Sequence, residues 1–145
     1  MILLKRHRKI PLRAKDIMSE PPITATLETT IAYVASLMRK NSIGSVLIVD
    51  EKGALRGIVT ERDIVFASSE GWNPKEHKAW EIMTENPITV TPEDDILTVI
   101  RKMREVNIRH LPVVKDNEPV GVISIRDILD VIWTLAGLGL GLTES

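Results

Sequence analysis

The spacing of apolar residues in the first half of the chain changes from helical to extended and back. After Pro21-Pro22, where proline excludes a helix, apolar residues recur every three or four positions, which predicts an amphipathic helix. This stripe consists of Ile31, Val34, Ala35 and Met38. Two β-rich runs follow, at residues 45–49 and 55–59, and turn-forming residues lie between them. Helical spacing returns over residues 62–68. We therefore predict the order β-α-β-β-α for this half.

The second half of the chain repeats this order. Pro87 marks an extended leading segment, a helical stripe follows, and residues 111–114 and 120–124 are β-rich. The stripe consists of Ile96, Val99, Ile100 and Met103. A last helix is expected from about residue 126. The pattern therefore predicts an α/β fold, of the α+β kind, in which the unit β-α-β-β-α occurs twice.

The residues themselves also repeat, at a spacing of about 65 positions. Residues 17–24 match residues 82–89, and residues 57–64 match residues 121–128. Such a repeat indicates two copies of one supersecondary unit that pack on each other, so a site made by one copy should have a counterpart in the other. We divide the chain into a basic N-terminal arm (1–13), a first repeat (14–69), a linker (70–79), a second repeat (80–132) and an apolar, glycine-rich tail (133–145).

Composition narrows the classes of function. A chain of 145 residues fits one compact domain or two halves that share a core. The net charge of −1 gives no overall attraction to nucleic acid or to an anionic membrane. The absence of cysteine excludes disulfides, thiolate zinc sites and thiol nucleophiles, and it fits a reducing compartment. No apolar run approaches the roughly 20 residues of a membrane helix. We therefore expect a cytoplasmic protein without a membrane segment.

The sequence offers no catalytic or metal-binding motif. The three histidines (His7, His77 and His110) lack the spacing of metal ligands, no serine has a paired base, and no phosphate-binding P-loop is present. We predict a protein that is not an enzyme and that requires no metal or cofactor. We expect His77 to be exposed without a partner, and Trp72 and Trp80 to cover the seam between the repeats.

The two ends of the chain have unusual compositions. Residues 5–9 are basic and form either a solvated arm or a contact to phosphate or nucleic acid. The tail from Trp133 is too short to span a bilayer and too rich in glycine for a stable isolated helix. We expect the tail to pack across a dimer or to lack a fixed structure.

One motif that can carry chemistry occurs in both repeats: Gly-apolar-apolar-(Thr/Ser)-x-Arg-Asp. A strand runs into Thr60 or Ser124 at the start of a helix, where free N–H groups and the helix dipole favour an anion. The carboxylate of Asp63 or Asp127, in the first turn, can accept hydrogen bonds from two vicinal hydroxyls of a ribose. The alternative is a capping box without a ligand. Both interpretations stay open, although the second copy favours binding.

The order, spacing and duplication of these segments resemble a tandem pair of cystathionine-β-synthase (CBS) domains. The resemblance covers about residues 14 to 132. The matching segments are 16–18 with 22–24, 43–49 and 57–63 in the first repeat, and 81–83 with 87–89, 108–114 and 121–127 in the second. The resemblance implies two β-α-β-β-α repeats paired about a pseudo-two-fold axis. It also implies two clefts for a regulatory adenosine ligand, such as AMP, ADP, ATP or S-adenosylmethionine.

Carried onto this sequence, the resemblance implies two sets of binding residues. The first cleft would use Thr24, Thr60, Asp63, Arg109 and His110. The second would use Thr89, Ser124, Asp127, Gly44 and Ser45. Because Arg109 and His110 suit a phosphate better than Gly44 and Ser45 do, we expect phosphorylated ligands to bind more tightly in the first cleft. Arg62 and Arg126 are either phosphate contacts or surface charges.

We therefore predict a regulatory module that binds adenosine nucleotides and passes its occupancy to an unidentified effector protein. Two alternatives are a structural or nucleic-acid-associated module that uses the basic arm, and a regulatory fragment of a larger enzyme or transporter. We also predict a homodimer, because two apolar stripes exceed what one small pair of repeats can bury. These stripes are Ile31/Val34/Met38 and Ile96/Val99/Met103.

Overall fold

A computed structural model describes residues 12–139 of the chain. The elements of the first half are α1 (Ala14–Ile17), β1 (Thr24–Thr26), α2 (Ile31–Asn41), β2 (Ser45–Val49), β3 (Leu55–Thr60) and α3 (Glu61–Ser69). Those of the second half are α4 (Ala79–Ile82), β4 (Thr84–Glu85), α5 (Ile96–Glu105), β5 (His110–Lys115), β6 (Glu118–Ser124) and α6 (Ile125–Gly139). The basic run at residues 5–9 lies outside the described residues. The predicted order β-α-β-β-α is confirmed in the first half and, apart from its leading strand, in the second. In addition, each half begins with a short helix, α1 or α4, that was not predicted.

The first unit is a four-stranded sheet with two helices packed on it. The strand order is β1-β2-β3-β4, with β1 parallel to β2 and the other pairs antiparallel. Helix α2 begins where the Thr30 hydroxyl accepts a hydrogen bond from the Tyr33 N–H (3.1 Å), and it ends at Ser42 in the left-handed region (φ 53°). Its apolar stripe enters the core, where Val34 is fully buried. This turn delivers the chain to the start of β2.

The second unit has the same plan with a reduced sheet. Strands β5 and β6 pair antiparallel, and the leading segment contributes one parallel bridge, between Val90 and Val113. Helix α5 is capped by Asp95, whose carboxylate accepts from the Thr98 N–H (2.8 Å). Its apolar stripe is buried in a separate second core. The predicted extended segment at Pro87 is therefore present, although it does not form a regular strand.

The short leading helices are exchanged between the two units. Helix α1 opens the first repeat in sequence, but Ala14 and Met18 pack in the core of the second unit, and Ser19 bridges to Val122 of β6. Helix α4 opens the second repeat, but Ala79 and Ile82 are buried in the core of the first unit. The two sequence repeats are thus interlocked in space.

Two glycines make this exchange sterically possible. A Cβ atom on Gly57 would lie 2.8 Å from the carbonyl oxygen of Thr84 and would collide with Met83. A Cβ atom on Gly121 would collide in the same way with Met18. Each glycine therefore lets the leading segment of the other repeat approach its strand closely.

The linker is ordered against the first unit. Trp72 stacks on His77 with ring centroids 4.6 Å apart and meets Phe66 edge-on at 5.8 Å. The Nδ1 atom of His77 lies 3.0 Å from Oε1 of Glu81. The prediction of an exposed, unpartnered His77 was therefore wrong, because helix α4 places Glu81 one turn after it. Trp72 covers the first core rather than the seam, and Trp80 is 51% exposed.

Helix α6 continues into the predicted tail, through Gly139. The sequence analysis judged residues from Trp133 onward too rich in glycine for a stable helix in isolation. Here the helix has already begun at Ile125, and extending an existing helix avoids the cost of nucleation. The remainder of the tail, residues 140–145, lies outside the described residues.

The apolar stripes that suggested a dimer are buried inside the single chain. Met38 and Met103, the most exposed residues of the two stripes, are only 6% and 4% exposed. That argument for self-association was therefore wrong. Other apolar residues are exposed on several elements, among them Tyr33 of α2 and Leu97 of α5. We call five of those on α3 and α6 the α3/α6 apolar face: Val65, Phe66, Leu129, Ile132 and Trp133. Among residues 12–139, no helix has both the length and the apolar composition needed to cross a bilayer.

Candidate ligand-binding clefts

Two cavities of similar size lie where the repeats meet. The first cleft, of about 420 Å³, is lined by residues from three segments, 58–63, 84–88 and 106–110. The second cleft, of about 390 Å³, is lined by residues from segments 19–23, 42–45 and 122–127, together with three charged or ionisable residues of the first cleft. Both volumes fall within the roughly 300–1,000 Å³ of small-molecule sites.

The two clefts are one site built twice. Segments 84–88 and 106–110 correspond to 19–23 and 41–45 in the repeat, and the helix start at residue 60 corresponds to that at residue 124. Because the leading segments are exchanged, each cleft combines the helix start of one repeat with the leading segment of the other. Both clefts therefore need both repeats.

The helix starts at the clefts are confirmed capping boxes. The Thr60 N–H donates to Oδ2 of Asp63 (2.8 Å), and the Ser124 N–H donates to Oδ2 of Asp127 (2.7 Å). The hydroxyls of Thr60 and Ser124 lie 3.3 and 3.1 Å from the same oxygens. All these bonds use Oδ2, so Oδ1 of each aspartate can still accept hydrogen bonds from a ligand hydroxyl. Capping and ligand binding are thus compatible roles for one carboxylate.

Burial makes Asp63 a costly anion in the free protein. It raises the pKa of Asp63 above its ordinary value of 3.8, and the Thr60 hydrogen bonds together with the nearby Arg62 charge only partly offset this. A ligand that donates hydroxyl hydrogens to this carboxylate would replace the lost solvation. The geometry therefore suits a diol more than an anion at this end of the first cleft.

Ionisable side chains from both repeats meet between the clefts. We call Glu61, Arg109 and His110 the seam triad, because these three residues line both cavities. A Cβ atom on Gly44 would lie 2.9 Å from Oε1 of Glu61 and 2.9 Å from Cε1 of His110, so the missing side chain makes room for them. Burial lowers the pKa of His110, although Glu61 opposes this shift. The lowered pKa favours the neutral form of His110, so Arg109 is the cation of the seam triad.

The structure brings together most of the predicted binding residues. Those that line the expected cleft are Thr60, Asp63, Arg109 and His110 for the first, and Gly44, Ser45, Ser124 and Asp127 for the second. Arg62 lines the first cleft and Arg126 lines the second, so each arginine can reach a ligand. Their roles in binding remain predictions.

Two predicted placements were wrong, and so was the premise of the predicted difference in phosphate affinity between the clefts. Thr24 lies in β1 opposite Leu47, and Thr89 offers its carbonyl oxygen to Lys102 (2.8 Å); neither side chain lines a cleft. Because the leading segments are exchanged, residues that precede these threonines in the same segments, such as Asn86, line the cavities instead. In addition, Arg109 and His110 do not belong to the first cleft alone, because they line the second as well.

The most informative residue that the sequence interpretation missed is Glu61. It occupies the variable position of the repeated motif, where the second repeat has Ile125. Asn86 and Asn107 were also missed; both line the first cleft with positive φ angles (45° and 52°). Comparing the repeats for their differences, rather than for their matches, would have pointed to these residues. Among residues 12–139, no three His, Cys, Asp or Glu side chains are grouped closely enough to hold a metal ion.

Two archaeal proteins share 40% identity with this chain. One, from Methanopyrus kandleri, matches over 118 residues, which are 80% of this chain and 60% of the relative. The other is L-aspartate semialdehyde sulfurtransferase of Methanocaldococcus jannaschii, matched over 115 residues, which are 79% of this chain and 22% of the enzyme. The chain thus spans less than two thirds of the length of either relative.

Two solved structures with the same fold contain adenosine compounds. The CBS domain pair of protein MJ0100, in complex with 5′-methylthioadenosine and S-adenosyl-L-methionine, has a TM-score of 0.77 and 37% identity, covering 84% of this chain and 96% of that one. The CBS domain protein PAE2072 from Pyrobaculum aerophilum, complexed with AMP, has a TM-score of 0.77 and 31% identity, covering 86% and 98%.

The family assignment follows from the sequence and the fold together. The CBS domain family matches residues 14–70 and again residues 79–134, which overlap the two repeats described above. The structure contains one α/β unit for each matched segment, and the two clefts lie where these units meet. The chain belongs to the CBS domain family and carries two CBS domains as a tandem pair.

Proposed function

We propose that this chain is a regulatory module that binds adenosine compounds in its two clefts and passes their occupancy to another protein. The observation that carries the proposal is the repeated helix start at each cleft, where the aspartate of a capping box lies beside arginine side chains. The complexes of two structurally similar CBS proteins with AMP, S-adenosylmethionine and methylthioadenosine support the same ligand class.

Each part of an adenosine nucleotide finds suitable chemistry in the first cleft. Ile58, Ile88 and Ile108 offer apolar walls for the adenine ring. The carboxylate of Asp63 accepts from the ribose hydroxyls, which relieves its desolvation. The phosphate lies toward the N-terminus of α3, where the helix dipole and the Arg62 and Arg109 guanidiniums favour an anion. This arrangement favours AMP, ADP or ATP over an uncharged adenosine compound.

The module signals through a second copy and an effector protein. The α3/α6 apolar face leaves Trp133 67% and Val65 65% exposed on helices that begin at the clefts. A large exposed apolar face on a small domain favours association. We propose that it forms a homodimer interface, so that occupancy of a cleft is transmitted along α3 and α6. Because a chain without cysteine fits a reducing compartment, we propose the cytoplasm as its location.

A second candidate is the same binding role within a larger protein. Since the chain matches 22% of the length of L-aspartate semialdehyde sulfurtransferase, its pair of CBS domains can serve as a regulatory part of an enzyme. No catalytic role is proposed for the residues of this chain itself. The nucleic-acid alternative depends on residues 5–9, which lie outside the described part of the chain.

Calorimetric titration of purified, nucleotide-stripped protein tests the proposal. We expect AMP, ADP or ATP to bind with measurable heat, and S-adenosylmethionine serves as the comparison without a phosphate. A ligand that binds only the folded state at about 100 times its Kd stabilises it by roughly 2.7 kcal/mol, so the melting temperature should rise as well. Absence of both heat and thermal shift with every adenosine compound would refute the proposal.

A further inference from the structure

The seam triad connects the two clefts physically. Among residues 12–139, only Glu61, Arg109 and His110 line both cavities. The other charged residues of the clefts belong to one side each; for example, Arg62 lines the first and Arg126 the second. The two sites therefore have private arginines at their helix starts and one further arginine in common.

The seam triad lies where the two repeats differ. The helix-start residues are conserved in character between the repeats, because Thr60 corresponds to Ser124 and Asp63 to Asp127. At the seam, by contrast, Arg109 and His110 correspond to Gly44 and Ser45. The ribose-binding ends of the clefts are thus duplicated, whereas the seam has one set of ionisable groups.

The lack of a side chain at Gly44 explains how one set of ionisable groups can line both clefts. Its missing side chain leaves space for Glu61 and His110, whose atoms lie 2.9 Å from where a Cβ would be. An arginine at this position, matching Arg109, would have to displace both. The second cleft therefore uses Arg109 as its seam cation, because Gly44, at the corresponding position of the first repeat, supplies none.

A shared cation has an electrostatic consequence. A phosphate that contacts Arg109 from one cleft uses hydrogen bonds that a phosphate in the other cleft would need. The second phosphate also meets the charge of the first and that of Glu61 across the seam, where His110 is partly buried while Glu61 and Arg109 are exposed, so solvent screens part of this repulsion. An uncharged ligand carries neither penalty.

We propose that the two clefts form one coupled unit for anionic ligands: a phosphorylated adenosine compound bound in one cleft weakens the binding of a second in the other. This inference rests on the proposed function and adds its regulation. An uncharged adenosine compound binds the second cleft without such a penalty. The preferred fully occupied state therefore holds one phosphorylated and one uncharged ligand.

Titration with two probes, AMP and adenosine, measures the coupling. We expect wild-type protein to bind two AMP molecules per chain, the second about 5- to 150-fold more weakly than the first, which is the usual range of coupling between sites. Adenosine should bind the two clefts without this separation.

Single-cleft variants separate coupling from two sites that are merely unequal. Asp63→Ala disables the first cleft and Asp127→Ala the second. If the clefts are coupled, each variant binds one AMP with an affinity near the tight phase, because the competing phosphate is absent. If the clefts are independent and unequal, one variant reproduces the weak phase, and the inference is overturned. Asp63→Asn and Asp127→Asn, which keep an oxygen for the cap, replace the alanine variants if those melt early.

A seam variant tests whether the seam triad carries the coupling. Arg109→Gly with His110→Ser copies the first repeat into the second. We expect AMP to bind more weakly, with its two phases merged, while adenosine binding is retained. Lys115→Ala removes an exposed cation from the same strand and should leave both phases as in wild type. Persistent separation of the phases in the seam variant would contradict the inference.

The two proposals fail in different ways. If neither AMP nor adenosine binds wild-type protein, the proposed function fails and this inference fails with it. If both bind, but AMP fills two independent sites, only the coupling is refuted.

Discussion

Arg109 is the residue whose replacement most directly reports the chemistry of the ligand. It lines both clefts and is the seam cation. Arg109→Ala should weaken AMP by about 10- to 150-fold, because a hydrogen bond to a charged group contributes roughly 1.5–3 kcal/mol. Adenosine, which lacks the phosphate, should bind nearly as before. Calorimetry with both ligands measures the difference, and an equal loss for both would show that Arg109 is structural.

The carboxylate of Asp63 is expected to cost stability in the free protein. Since burial raises its folded-state pKa, the folded protein holds this proton more tightly than the unfolded chain, and Asp63 lowers stability as the pH rises above 3.8. Asp63→Asn removes the charge and keeps an oxygen for the Thr60 N–H. Without ligand, the variant should melt at a higher temperature than wild type at pH 7, and the difference should shrink toward pH 4.

Thermal melts of wild type and Asp63→Asn between pH 4 and pH 7 measure this difference in stability, and melts with AMP provide the control. Saturating AMP should stabilise wild type more than the variant, because only the carboxylate accepts from both ribose hydroxyls. A variant that melts below wild type at pH 7 would mean that the Thr60 hydrogen bonds outweigh the burial of the charge.

At the scale of elements, the exchange of α1 and α4 depends on glycines in the strands beneath them. Gly57→Ala should destabilise the protein by about 1–3 kcal/mol, as overpacking does, since the carbonyl of Thr84 is backbone and cannot move aside easily. Chemical denaturation measures the loss. Ser68→Ala, at an exposed position of α3, is the matched control and should change stability little. An unchanged midpoint for Gly57→Ala would show that the leading segment tolerates displacement.

Local signals explain which elements and site residues the sequence could predict. The apolar residues of α2 recur every three or four positions, so periodicity alone suffices to predict this helix. The aspartates of the capping boxes were found from a similarly local motif. Exchange of the leading helices brings together residues such as Met18 and Gly121, about 100 positions apart, and no local rule encodes it. Thr24 was misplaced because its cleft assignment assumed that the leading segment stays with its own repeat.

The seam triad was predicted only in part for a related reason. The resemblance to CBS domain pairs assigned Arg109 and His110 to a cleft, and their side chains suggested a phosphate as the ligand group. That they face two clefts depends on the room left at Gly44, which is a property of packing across the repeats. Glu61 occupies a position that the motif leaves free, so pattern matching passed over it.

For the molecule as a whole, the α3/α6 apolar face predicts the oligomeric state. Leu129→Arg combined with Trp133→Arg introduces two charges on one face of α6 and should convert a homodimer into monomers. Light scattering at micromolar concentration measures the mass. Tyr33→Arg, at a 58% exposed position of α2, is the control and should remain dimeric. A monomeric wild-type protein would contradict the prediction.

The interlocked leading helices also bear on how such a chain can arise. A single repeat cannot cover its own core, because the helix that does so comes from the other repeat. Two copies of one repeat could cover each other, giving a symmetric dimer with two equal clefts. Duplication within one gene would preserve that arrangement and would allow the sequences of the two halves to differ. Gly44 and Arg109, which occupy corresponding positions of the two repeats, are one place at which the halves of this chain differ.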